Sequence, residues 1–329
     1  MAAVVHQVSG TAQRGALAFW TPARRAAAWA VPLPHAADIE QESGQPGRAP
    51  ATVSPRKRIP TAKRFGGVPT IGALFSTTGA KRHFCTAAVV RSAPGDLVVT
   101  AAHCVDAKGF ATNVEYVPGY HSGHLPYGAW AVRTIMVAAG WQRSHDPDLD
   151  FAFLAVGPAG GRKIQARTDG LTVGFTRWYR ERIMAIGYND ADTAPVRCLT
   201  RSFRFRTGQM EYYCHGFWAG TSGGPWIAGF NRRNGTGTVF GVVGSYQDGG
   251  DYEWAWYSAY FGPTLRSLFG QAQKAEKARK PRRVRKPEKA ARIAVYRTLA
   301  PYISPSGSAR SSRRAPSGSR KYTDVPLSS

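Results

Sequence analysis

From about Phe65 to Phe269 the chain is a succession of short apolar runs, each closed within a few residues by Gly, Pro, Asn or Asp. The first group is TIGALFS from Thr70, FCTAAVV from Phe84, DLVVTAAH from Asp96, WAVRTIMV from Trp130 and DFAFLAV from Asp150. The second is LTVGF from Leu171, RIMAIGY from Arg182, SFRFRT from Ser202, EYYCHG from Glu211, GPWIAGF from Gly224, TVFGVVGSY from Thr238 and EWAWYSAYF from Glu253. SFRFRT alternates with period two, as a half-buried strand must, because successive side chains of a strand point to opposite faces. Many short strands with regular turn signals and no βαβ spacing predict an all-β sandwich or barrel. Asn231 to Gly237 (NRRNGTG) contains an Asn-Gly between two runs and predicts a hairpin. The gap near Gly157 to Asp169 joins two halves, and no internal repeat is evident.

Both ends have a different texture. Residues 1–64 are rich in Ala, Pro and Arg, carry the basic patch PRKR at Pro55 to Arg58, and read as a poorly structured leader with at most a short helix near Thr21 to Ala30. Residues 65–270 form the folded domain, split as 65–162 and 163–270. Residues 271–329 read as a basic, disordered tail, interrupted by Pro281 and Pro287 and ending in Ser, Arg, Pro and Gly that build no core. That tail holds 16 Lys and Arg against 3 Asp and Glu, so +13 of the chain's +24 net charge lies there. The high overall charge therefore says little about the central domain. The tail's clusters suit contact with polyanions or a cell surface, but it lacks the aromatic interleaving of a nucleic-acid stacking platform.

Four cysteines, Cys85, Cys104, Cys198 and Cys214, fall in two local groups without CxxC spacing. Two disulfides in an oxidising compartment is the economical reading, against four free buried thiols. No apolar run approaches the roughly 18 residues that span a bilayer. The N-terminus shows no good secretory signal: Arg24-Arg25 followed by AAAWAVPL is short and ends among prolines. The expectation is a secreted monomer whose true start lies upstream or whose export uses another route.

Three segments carry chemistry. GTSGGP, from Gly220 to Pro225, sets Ser222 among glycines, which fits a tight turn with converging backbone N–H groups, as acyl transfer needs for the oxyanion of its tetrahedral intermediate. LVVTAAHCV delivers His103 at the end of an apolar strand. SHDPDLDFAFLAV sets Asp150 against an apolar run, where an unpaired carboxylate is costly, with Asp146 and Asp148 as competitors. A buried carboxylate there would accept the histidine Nδ1–H and fix the tautomer that takes a serine proton.

TAAHC, the strand-opening Asp of DFAFL and GTSGGP, in that order, resemble the chymotrypsin-like (trypsin-like) serine proteases, especially the secreted bacterial branch. The resemblance covers roughly Val68 to Phe269. It implies two packed six-stranded antiparallel β-barrels with the active site in the cleft between them, protein or peptide substrates, and no metal or cofactor. His103 is then base and acid, Asp150 orients it, Ser222 is the nucleophile, and the N–H groups of Gly220 and Ser222 form the oxyanion hole. Cys85 and Cys104 match the disulfide bracing the histidine loop, and Cys198 pairs with Cys214 in the second barrel. FWTPARRAAAW, from Phe19 to Trp29, resembles the pro-region of bacterial members, which implies a zymogen. Against this stands a catalytically silent homologue that acts as a binding protein.

Departures from the family pattern bear on activation and specificity. Thr221 precedes the nucleophile where animal members carry an Asp that pairs with the freed N-terminus, so the pocket is expected to form without that ion pair. Alignment puts the base of the primary pocket at Gly216 and Phe217, without the Asp of cutters after Arg or Lys. It puts the wall strand at Ser245, Tyr246 and Gln247, where Gln247 replaces a glycine, so a narrowed or polar pocket is expected. Asp248, Asp251 and Glu253 read as a solvated turn, and His215 as structural. His121, His124, His145 and Asp146 lie in loops without a convincing ligand set. Trp254, Trp256, Tyr257, Tyr260 and Phe261 read as core or closing segment of the second barrel.

Overall fold

The computed structural model describes residues 2–30, 59–175, 179–189, 194–250, 252 and 254–278. The PRKR patch, the chain beyond Ala278, Asp251 and Glu253 lie outside the described residues. In chain order the first nine strands are β1 (Ala3–Gln7), β2 (Trp29–Ala30), β3 (Lys63–Arg64), β4 (Ile71–Thr78), β5 (Lys81–Val89), β6 (Leu97–Thr100), β7 (Thr112–Pro118), β8 (Trp130–Ala138) and β9 (Ala152–Val156); all but β3, which pairs with Val196 and Arg197 of the second sheet, belong to the first half.

Six of these close on themselves in the order β8-β7-β4-β5-β6-β9, with β9 pairing back onto β8. Closure needs β8 to bend so that one end meets β7 and the other β9. A register irregularity between Val132 and Thr134 marks that bend. DFAFLAV reads as a continuous apolar run because β9 is buried on both faces. One face fills the barrel, and the other is covered by the C-terminal helix Pro263–Ala278, where Phe269 packs 5.1 Å from Phe153. The same helix sends Glu276 to Arg133 (2.5 Å), whose guanidinium also holds Asp96 (2.6 Å). The helix continues past Gly270, so the boundary expected at 271 is corrected: side chains at Ala272 and Glu276 are buried against the barrel.

The second half consists of β10 (Thr172–Val173), β11 (Arg182–Gly187), β12 (Val196–Arg206), β13 (Gln209–Tyr213), β14 (Pro225–Asn231), β15 (Thr236–Val242) and β16 (Ala255–Ala259). They form one curled sheet, β10-β15-β14-β11-β12-β13-β16. Gly244 N–H donates to Tyr257 O (3.0 Å), which brings the β15 end of the sheet to β16. Its core packs Tyr212 edge-on to Trp226 at 4.8 Å, with Trp256 and Phe217 beside them. The predicted hairpin joins β14 to β15. Cys85–Cys104 and Cys198–Cys214 are both disulfides, one in each half.

The expectation of a poorly structured leader fails for residues 2–30. β1 adds antiparallel to β8 (Ala3 opposite Ala138), helix Gly10–Phe19 starts on a Ser9 cap, and helix Pro22–Ala26 starts on a Thr21 cap. β2 lies parallel to β5 at His83 and Phe84. Tertiary contacts account for this order where composition did not: Trp20 is buried against Phe75, and the Arg25 guanidinium enters the barrel side to pair with Glu115.

Candidate active site

β6 ends at Thr100, and the chain turns through Ala101 to Cys104, where the disulfide to Cys85 of β5 pins it. This places His103 in the interior at 3% exposure. Asp150 emerges from the Pro147–Leu149 turn just before β9 and is fully buried. Its Oδ1 accepts the His103 backbone N–H (2.9 Å). Its Oδ2 lies 2.7 Å from His103 Nδ1 and accepts the Ser245 N–H (2.6 Å). A buried carboxylate surrounded this way is compensated. Burial pushes the Asp150 pKa up, but the His103 charge and hydrogen bond, with the two backbone N–H groups, outweigh it and hold Asp150 below the ordinary range. For His103 burial disfavours the cation, yet the charges of Asp150 and Asp248 and the Asp150 hydrogen bond raise the pKa to about 9. Because ionised Asp150 only accepts, neutral His103 carries its proton on Nδ1 and leaves Nε2 as the basic nitrogen.

The Gly220 to Gly224 turn is fixed from both halves. Thr86 of β5 donates its N–H to Ser222 O (2.8 Å) and its hydroxyl to Gly220 O (3.0 Å), while Gly223 N–H donates to Val243 O (2.7 Å). Gly223 has φ +76°, and a Cβ there would lie 2.1 Å from Thr100 Oγ1 and 2.2 Å from Thr86 O. The turn therefore packs on the strand end that leads to His103. Ser222 is 2% exposed, and its Oγ, like His103 Nε2, is buried with no hydrogen-bond partner among the described residues. A buried polar atom without a partner costs about 1–3 kcal/mol, so these two atoms do not serve stability. Gly223→Ala is expected to lower stability by roughly 2 kcal/mol, from the wrong-handed backbone and the clash with strand atoms. Parallel thermal melts of the protein and the variant check this.

The other expected site residues fall as follows. Gly216 (φ +81°) presents its carbonyl to Asn189 Nδ2 (2.9 Å), and Asn189 Oδ1 accepts the Trp218 N–H (3.0 Å). The Phe217 ring is fully buried 5.9 Å from Tyr212 and 5.7 Å from Trp256. Ser245 reaches Asp150 through its N–H, and the Tyr246 ring lies 5.0 Å from Phe205 and 5.2 Å from Tyr257. The wall strand expected at Ser245, Tyr246 and Gln247 is corrected: Tyr246–Gly249 is a tight turn, with positive φ at Ser245, Gln247 and Asp248. Asp248-Gly249-Gly250 supplies turn chemistry that opposes an extended chain, while Ser245 is tethered to Asp150. Asp248 lies in that turn with its side chain partly exposed, and its Oδ1 is also 3.9 Å from His103 Nδ1. His215 acts through its backbone, accepting from Ala62 N–H and donating to Pro60 O.

Of the competitors to Asp150, Asp146 caps the turn by accepting the Asp148 N–H (3.0 Å), and Asp148 accepts from Gln209 Nε2 (2.6 Å). His121, His124, His145 and Asp146 are not gathered into one ligand set among the described residues. Thr86 and Asp248 were missed as site residues. Thr86 carried no signal beyond standing next to Cys85, and Asp248 one only in its acidic cluster.

A closed six-stranded barrel facing a second curled sheet, with a buried His–Asp pair and a glycine-flanked turn where the halves meet, defines a two-barrel, chymotrypsin-like peptidase. The chain matches the Trypsin family model over residues 61–253 and belongs to that family. Solved structures agree. The protease Anisep from Arthrobacter nicotinovorans is 25% identical with TM-score 0.59, over 65% of this chain and 100% of that one. The thermostable serine protease AL20 from an extremophilic microorganism is 25% identical with TM-score 0.57, over 64% and 98%. A Glu endopeptidase at 13% identity and TM-score 0.51, over 65% and 97%, shares the fold. No curated protein sequence matches the chain.

Proposed function

We propose that the chain is a serine endopeptidase that cleaves protein or peptide substrates through an acyl-enzyme. Ser222 Oγ attacks the scissile carbonyl, His103 Nε2 takes its proton and later returns one to the leaving amine, and Asp150 holds the imidazole tautomer and stabilises the imidazolium. The backbone N–H groups of Gly220 and Ser222 receive the oxyanion. The observation that carries this reading is the 2.7 Å contact between His103 Nδ1 and Asp150, with Nε2 and Ser222 Oγ both left without partners among the described residues. Residues 65–162 and 163–278 supply the two halves of the catalytic domain, and residues 2–30 are built onto the first. Two disulfides support function in an oxidising, extracellular setting, where the basic tail would meet polyanions.

The test is intact-protein mass after treatment with a fluorophosphonate, comparing the protein with its Ser222→Ala variant. One adduct that disappears in the variant is expected. Absence of an adduct on folded protein, both intact and after cleavage within residues 31–58, would overturn the reading in favour of a silent homologue that binds rather than cuts.

A further inference from the structure

Two carboxylates, not one, stand at the Nδ1 end of His103. Asp150 Oδ2 is at 2.7 Å and Asp248 Oδ1 at 3.9 Å, and the Asp248 side chain is only 28% exposed. The turn that carries Asp248 is held in place at several points. Ser245 N–H is bound to Asp150, Asp248 N–H donates to Ser245 O (3.0 Å), and Gly250 N–H donates to Gln247 O (3.1 Å). The Tyr246 ring is wedged against Phe205 and Tyr257, with Arg206 over its face at 5.5 Å. Holding it this way is costly. Ser245 (φ 77°), Gln247 (φ 52°) and Asp248 (φ 49°) all adopt a backbone region that non-glycine residues seldom enter, and such strain gathers at functional positions.

We propose that Asp248 is a positioning residue of the active site: a second carboxylate that favours the imidazolium of His103 in the resting enzyme and so moves the onset of activity to alkaline pH. The proposal rests on the serine-protease reading above. An opposite charge within about 4–6 Å favours the charged form of a histidine. Among the described residues, Asp150 and Asp248 are the charged groups that act on this ring. The Gly220–Gly224 turn carries no charge, the β5 side presents the Cys85–Cys104 disulfide, and Asp106, three residues along, has its pKa raised by burial, with His145 and His6 opposing that rise. The direction agrees with the raised pKa of His103, to which Asp150 contributes first and Asp248 next after the opposing effect of burial.

A base that is protonated at neutral pH is idle there, so the carboxylate that strengthens it also silences it. Asp248→Asn is isosteric and removes the charge. It is expected to lower the acid-limb midpoint of kcat/KM by about one pH unit, which raises the rate at pH 7 up to about tenfold. At the alkaline plateau the variant should be a few-fold slower, because a weaker base is a poorer proton acceptor. The two pH profiles therefore cross. Asp248→Glu should keep the wild-type midpoint.

The experiment records both these profiles and the NMR titration of the His103 ring, the latter in Ser222→Ala protein with and without Asp248→Asn. A midpoint lowered in both readouts is the expected result. A plateau change with an unmoved midpoint would mean that the turn matters only for shape, and would overturn the proposal. If Asp248→Asn fails to fold, Asp248→Ser is measured in its place under the same criteria. Failure of the wild-type protein to cleave or label at any pH would sink the protease reading, whereas the NMR midpoint would still decide whether Asp248 acts on His103.

Discussion

Replacing Ser222 by Ala is expected to lower kcat by about 10⁶-fold, and replacing Asp150 by Asn to lower it by about 10⁴-fold. The second change is the more informative. Asn keeps the shape of Asp150 but offers one acceptor oxygen in place of two, and three N–H groups converge on that side chain: His103 N, His103 Nδ1 and Ser245 N. With the amide nitrogen turned to Nδ1, the imidazole must accept there and carry its proton on Nε2, so it can no longer take a proton from Ser222. With the oxygen turned to Nδ1, the amide nitrogen meets the His103 backbone N–H and one buried donor goes unsatisfied, at about 1–3 kcal/mol. Either orientation impairs the site without unmaking the barrel. Steady-state cleavage of a peptide library with denaturation curves on the same samples separates the two effects. A loss below tenfold for Asp150→Asn on stable protein would remove Asp150 from the orienting role. The double variant should be no slower than Ser222→Ala alone, since the residues act as one unit.

The segments that carry the candidate site were legible because each is a local pattern: an apolar strand running into His103, an aspartate against an apolar run, a serine among glycines. Most strands were legible for the same reason. β7 was not, because Thr112–Pro118 interrupts its apolar positions with Asn113 and Glu115. Glu115 belongs inside only through a partner 90 residues away in sequence. The wall strand was misread because alignment carried over an extended segment where Asp248-Gly249-Gly250 and the Ser245 tether favour a turn. Thr86 lies on a strand like any other, and only the meeting of the halves makes it the clamp on Ser222 and Gly220. Glu115, Thr86 and the Ser245 tether escaped the sequence because each depends on a long-range partner, whereas the Asp248-Gly249-Gly250 turn was a local signal passed over.

The N-terminal segment gives the second large effect. Arg25 Nε and Nη2 donate to Glu115 Oε1 (2.7 Å) and Oε2 (3.1 Å), and both side chains are withdrawn from solvent. Burial raises the Glu115 pKa, and the hydrogen bonds and charge of Arg25 oppose that rise. Arg25→Met keeps much of the packing volume and removes the counter-charge, so it is expected to cost about 3–5 kcal/mol near neutral pH. The pH dependence has a definite sign. Without Arg25 the folded-state pKa of Glu115 climbs further above its unfolded value, so the native state binds the extra proton. Stability is therefore recovered as pH falls through that raised pKa and is lost above it. Urea denaturation at neutral and mildly acidic pH should show the penalty shrinking on the acidic side. A second substitution, Glu115→Leu, in the Arg25→Met background should restore most of the loss. A cost under about 1 kcal/mol that does not change with pH would mean that residues 2–30 only rest on the barrel. The expected result has a consequence for processing: excision of the leader would strand a buried carboxylate in the first barrel. Any cleavage in the 31–58 stretch should then leave residues 2–30 bound by β1, Trp20 and Arg25 rather than release them.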